Sequence, residues 1–267
     1  MSTIDRDAGR FGATLTVAIA IFKKQLTLMI RYPINLFSGL LTMYVFFAMI
    51  FFGGQAITDG AIAENLEGLI IGFFLWSMAW SAFADLTWNL TREAQWGTLE
   101  QLYMTVHGFE FLMALKSAVN ILLSFLTGAL ILGLMILTTG EMVIIDVVTI
   151  VPIIVLGLWS VVGVGFIFGG LAIIYKRIER VFQILSFGFI GLIGAPVGAA
   201  PLLKALPLTQ GSYLLRRAMK DGERLWEMPA AELGILVAVA VGYFLAGALF
   251  FRFAQRRARK LGVMGHY

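Results

Sequence analysis

From position 147 to position 175 the chain runs 29 residues without one charged side chain. As a helix rising 1.5 Å per residue that is about 44 Å, more than the ~30 Å hydrocarbon core of a bilayer. Further apolar stretches at 34–53, 68–90, 109–137, 181–203 and 232–251 carry few charges. Charged residues make up 13% of the chain and apolar residues 60%, where a soluble domain carries roughly 25% charged residues. Such a chain cannot cover itself with a water-compatible surface. The expected fold is an all-α integral membrane protein of six transmembrane helices, one transmembrane domain over 1–267, with no room for a soluble catalytic domain.

Before the first span, Leu15, Ile19, Phe22, Leu26, Met29 and Pro33 fall at steps of three and four, with Lys23, Lys24 and Arg31 between them. This stripe predicts an amphipathic helix over 13–32 lying in the membrane interface. Pro33 ends it, because the residue before a proline is pushed out of helical geometry. The glycines and prolines of 181–203, among them Gly194, Pro196, Gly198 and Pro201, predict a kinked or interrupted fifth span. The following segment, 204–231, mixes leucines with charges and reads as an interfacial elbow. Small-residue pairs at Gly68/Gly72, Gly165/Gly169 and Gly194/Gly198 have the spacing that lets helices approach closely.

Fifteen of the 20 lysines and arginines fall in the two tails and the segments on their side of the membrane; the loops at 54–67 and 138–146 hold none. Basic residues favour the cytoplasmic side, so both termini are expected there, in a multi-pass protein of the cell membrane. Lys204, Arg216, Arg217, Lys220 and Arg224 break the rule locally. The basic excess, a net charge of +4, belongs to this asymmetry, and nucleic acid is not an expected partner. The first twelve residues are polar and lack the pattern of a cleaved signal peptide.

Catalytic patterns are missing. The chain has no cysteine and only two histidines, and no glycine is followed directly by lysine. That excludes thiol chemistry, thiolate metal sites and a phosphate-binding P-loop. The expectation is therefore a chain that is not an enzyme and binds neither metal nor cofactor.

One polar stretch, 91–107, sits between the second and third spans. It contains Arg92-Glu93 and then Trp96-Gly97-Thr98-Leu99-Glu100-Gln101-Leu102-Tyr103, with Thr105 beyond. On a helix, Leu99 and Leu102 share a face, leaving Glu93, Glu100 and Gln101 to reach a partner; an ordinary solvated loop is the plainer alternative. The stretch resembles the coupling-helix region of type-2 ABC exporter permeases, in which a glutamate, a glycine and a leucine-rich turn ending in Thr-Pro follow the second span. Here Val106 replaces that proline. The helix before the first span is similar to the interfacial helix of that family. Leu206-Pro207-Leu208-Thr209, with Leu215-Arg216 downstream, resembles its outer segment between spans five and six.

The resemblance implies a membrane subunit that exports an amphiphilic, lipid-like or lipid-linked molecule or a drug. It implies a second copy of the permease and two cytoplasmic ATPase subunits, which would hold the ATP and Mg. Arg92, Glu93, Gly97, Thr98, Glu100, Gln101 and Tyr103 would be the contacts with that ATPase. The alternative is a secondary transporter driven by an ion gradient.

Two further groups are candidates. Asp85 and Lys116 are intramembrane charges, which are expensive and usually paired or functional; a mutual salt bridge, transmission of ATPase motion and substrate contact are the open readings. Phe37, Tyr44, Phe47 and Phe51 are spaced for one helix face, as packing or as the wall of a substrate path.

Overall fold

The computed structural model describes residues 3–57, 66–95, 109–175, 178–198 and 200–260; its description of side chains begins at Thr16 and leaves out 55–57, 85, 86, 89–95, 109, 110, 179 and 259. Among these residues the fold is all-helical, with eight helices and no strand. They are α1 Thr3–Arg31, α2 Pro33–Ile57, α3 Leu66–Gln95, α4 Phe109–Thr139, α5 Val147–Tyr175, α6 Glu179–Ile193, α7 Thr209–Lys220 and α8 Ala230–Lys260, with a short 3-10 turn at Pro201–Ala205. Five of them, α2, α3, α4, α5 and α8, are long and apolar enough to cross a membrane. The chain is a multi-pass helical membrane protein.

Local chemistry sets the boundaries. Tyr32 alone separates α1 from α2, and Pro33 is the first residue of α2, where its missing N–H costs nothing. The helix ahead of that break is longer than the 13–32 expected, beginning at Thr3. At the far end of α4, Gly140 adopts φ +75° and donates to the Ile136 carbonyl, closing the helix with the backbone conformation that glycine tolerates. Asp146 then caps α5, accepting from the Val148 N–H at 3.2 Å and the Thr149 hydroxyl at 2.7 Å.

The core lies between α3, α5 and α8. Helices α5 and α8 run parallel and make the most extensive contact in the molecule. Glycine carries it. A methyl on Gly163 would strike the backbone of Tyr243 and Phe244, and one on Gly247 would strike the Gly163 carbonyl. In a bilayer, where lipid is as apolar as leucine, such backbone proximity replaces the hydrophobic drive as the source of helix association. Of the pairs singled out by spacing, Gly194 instead ends α6 and Gly198 faces open space. The close approach uses Gly163, Gly170 and Gly247.

The expected span 181–203 is helical only over 15 residues, Glu179–Ile193, about 22 Å of rise. Pro196 and Pro201 forbid its continuation. The next segment also departs from expectation, for α7 is no surface elbow. Its Thr209, Gln210, Gly211, Ser212, Leu214 and Leu215 are buried, packed against α5, α3 and α8. The amphipathic pattern was legible; the apolar phase it meets is protein and not the interface.

Candidate functional site

The most elaborate polar construction in the molecule surrounds α7. Its first turn meets α5 about half-way along: the Leu208 N–H donates to the Ser160 hydroxyl at 2.9 Å, and Gly211 packs on Gly157. Ser160 lies 13 residues into α5, about 20 Å from its start. The other end of α7 returns to the edge, where the Ile144 N–H donates to the Met219 carbonyl and the Leu225 N–H to the Thr149 hydroxyl. Thus α7 is a re-entrant half-helix running from mid-bundle to the side that carries Gly140. Leu208 begins it at φ 68°, a left-handed conformation that is uncommon for a leucine and here holds the chain in its reversal.

Backbone groups freed by the break at α6 are satisfied. The Ile193 carbonyl accepts from the Ser212 hydroxyl at 2.8 Å and from the Arg216 guanidinium at 3.2 Å. A cation at the C-terminus of a helix also suits its dipole. This is the physical reason for an arginine inside an apolar bundle: Arg216 caps α6.

The other basic residues of this region have partners as well. Lys204 pairs with Glu232 at 2.5 Å, and Gln210 donates to the same carboxylate at 2.6 Å. Arg217 pairs with Glu223 at 2.6 Å and Lys220 with Glu67 at 3.5 Å; Arg224 lies over the Trp226 ring. The cations that break the basic asymmetry in the sequence are mostly matched by acids beside them.

The residues expected to meet an ATPase are only partly within the description. Arg92 and Glu93 are in the last turns of α3, with their side chains outside the described residues; Gly97, Thr98, Glu100, Gln101 and Tyr103 lie outside them altogether. Lys116 is half-buried on α4, while the side chain of Asp85 falls outside the description, and with it the question of their pairing.

The aromatic face of α2 divides. Phe47 and Phe51 are buried and stack with ring centroids 5.8 Å apart, Phe73 of α3 meets Phe47 edge-on at 5.4 Å, and Tyr44 packs alongside. Phe37 is 65% exposed on the outside of the bundle. The structure brings three of the four together as the joint between α2 and α3.

Sequence reasoning missed the Lys204–Gln210–Glu232 cluster and the capping role of Arg216. Both depend on segments far apart in the chain, and the only available signal was that a cation-rich segment also held Glu223, Glu227 and Glu232. No protein-family model matches this chain, and no curated protein matches it either.

Proposed function

We propose that this chain is the membrane-spanning permease subunit of an ATP-driven exporter of the type-2 ABC kind, moving an amphiphilic, lipid-like or lipid-linked molecule outward. In this reading α6 is the remaining span, broken at Gly194, so that there are six. Both termini are cytoplasmic, and α1 is the interfacial helix. The work comes from two ATPase subunits, which hold ATP and Mg, acting on a pair of these chains.

The observation that carries the reading is the reach of α3. Its apolar window ends at Ala84, yet the helix continues unbroken to Gln95. The polar stretch 91–107 therefore begins on a helix that traverses the bundle and packs on α4, α5, α6 and α7. A push on that stretch is carried into the core by one continuous element. Two other features weigh the same way. The Leu206-Pro207-Leu208-Thr209 sequence falls at the turn into the re-entrant helix, and acids partner Lys204, Arg217 and Lys220 on the side the reading places outside.

The half-helices α6 and α7 also fit a secondary transporter, which binds ions at broken helices near the midplane. Against this, the freed groups at the break are already occupied: Ser212 and Arg216 take the Ile193 carbonyl, and Ser160 takes the Leu208 N–H.

The test is isolation from the native membrane. The chain should co-purify with an ATPase, and Glu100→Arg should abolish that association and the stimulated ATP hydrolysis while the permease still inserts. Glu141→Arg, at the opposite side, should do neither. Recovery of the chain without an ATPase, or full retention of it by Glu100→Arg and by a scan of 91–105, removes the basis for the reading. Cysteines at positions 59 and 141 should react with an impermeant reagent from outside, and one at 257 should not.

A further inference from the structure

Four helices on the other side of the bundle border a cavity of about 770 Å³ that opens outward where Leu28, Tyr32, Asn35 and Gly39 are exposed. Each gives it one face. From α4 come Asn120, Leu123, Ser124, Thr127 and Ile131; from α3 come Ser77, Trp80, Ser81 and Ala84. From α2 come Asn35, Leu36, Gly39, Leu40 and Met43, and from α1 come Gln25, Leu28 and Met29. The volume falls in the range of small-molecule sites, about 300–1,000 Å³.

Asn120 makes the cavity more than a packing gap. It is 9% exposed and borders the space, yet its amide has no hydrogen-bond partner among the described residues. The amide opens onto the cavity, since the polar atoms sealed in protein without a partner are Gln210 Oε1, Arg216 Nε and Gln255 Nε2, so its hydrogen bonds are left for whatever occupies that space. The hydroxyls beside it are differently placed. Ser77, Ser124 and Thr127 donate to the carbonyls of Phe74, Ile121 and Ser124 on their own helices, which leaves their lone pairs to accept. The amides of Gln25, half-buried, and Asn35, exposed, stand at its open side. The walls thus offer both donors and acceptors.

Charge decides the class of ligand. Among the described residues none that lines the cavity is an Asp, Glu, Lys, Arg or His, so a phosphate, carboxylate or ammonium has no described counter-charge there. Leu36, Leu40, Met43, Leu123 and Ile131 supply an apolar wall suited to a hydrocarbon chain.

We infer that this cavity is a binding site for an uncharged amphiphile, whose hydroxyl-rich headgroup bonds to Asn120 and the neighbouring hydroxyls while its acyl chain lies along α2 and α4. The site is independent of the exporter reading, because its occupancy is a property of this chain without any ATPase.

The test uses the full chain in nanodiscs with monooleoylglycerol as probe and the lysophosphatidate of the same acyl chain as its charged counterpart. Monooleoylglycerol should bind saturably, one per chain, and lysophosphatidate should compete at least tenfold more weakly. Asn120→Leu should weaken binding at least tenfold and abolish the ligand-induced rise in melting temperature. Without ligand it should melt no lower than the wild type, since it removes an unpaired amide; a structural role for Asn120 predicts the reverse. Ser124→Leu, which fills the cavity from the same face, should also block binding and serves if Asn120→Leu fails to fold. Absence of saturable binding, equal competition by lysophosphatidate, or unchanged affinity in both variants would show a space filled by water or bilayer lipid alone and overturn the assignment.

Discussion

Where α5 meets α8, Gly163 and Gly247 bring two backbones together with no space for a methyl group; on the other side of the bundle, Gly39 of α2 and Gly133 of α4 look onto nothing within 4 Å. The same residue type serves opposite ends. On the first side polar groups also bond across helices, as Ser160, Ser212 and Arg216 do, although Gln210 Oε1, Arg216 Nε and Gln255 Nε2 are buried there without a partner. On the second side Ser77 and Ser124 bond only within their own helices and Asn120 bonds to nothing described. Helix packing in lipid rests on contact and on interhelical hydrogen bonds. A region rich in both is therefore a fixed body, and a region short of both is where the bundle can admit something or change shape.

The sharpest way to break this contrast is at the glycines. Gly163→Leu should destabilise the protein by about 3 kcal/mol or more, because the opposing atoms are backbone and cannot rotate away. Gly39→Leu should stay within about 0.5 kcal/mol of wild type. Detergent unfolding followed by fluorescence would read both, and equal effects would mean the two sides do not differ in packing.

Next in size is the α2–α3 joint. Phe47 is 1% exposed, so Phe47→Ala should cost about 3 kcal/mol, the low end for a buried phenylalanine, since lipid partly replaces the lost contacts. Phe37→Ala should be near neutral in stability. If Phe37→Ala abolishes transport while leaving the fold intact, the exposed face of α2 belongs to a partner or a path.

Arg216→Met tests the polar bonds across helices. It removes one of two donors to the Ile193 carbonyl and should cost about 1.5–3 kcal/mol, the range for a hydrogen bond to a charged group. Arg216→Lys should recover part of this if the charge at the end of α6 matters as well as the geometry. The smallest effect is expected at the rim. The Glu67–Lys220 pair is half in water, so Glu67→Gln should shift stability by no more than about 0.5 kcal/mol, and a larger loss would extend the fixed body to the loop edge.

Much of this architecture was readable from charge alone. Five charge-poor stretches became five long helices, and Pro33, Gly194 and Pro196 marked real breaks. The rest failed for a common reason: hydropathy reports which solvent a segment prefers, not what it touches. Residues 194–203 are apolar but not a continuing helix, and α7 is amphipathic but buried in protein. The cavity had a trace in the sequence, with Ser77 and Ser81, and Asn120, Ser124 and Thr127, spaced three and four apart within spans. Such spacing marks a polar face, but whether that face is filled or empty depends on which helices lie opposite, and nothing local encodes that.

The re-entrant helix has a consequence for how the protein is made. With Arg216, Arg217 and Lys220 in only 12 residues, α7 has neither the length nor the polarity to enter a bilayer unaided. Its docking surface exists only after α3 and α5 are in place, and Glu232, which receives both Lys204 and Gln210, emerges from the ribosome later still. Seating α7 therefore requires α3 and α5 to be in place, and the bonds of Lys204 and Gln210 to Glu232 can close only once the start of α8 has been made.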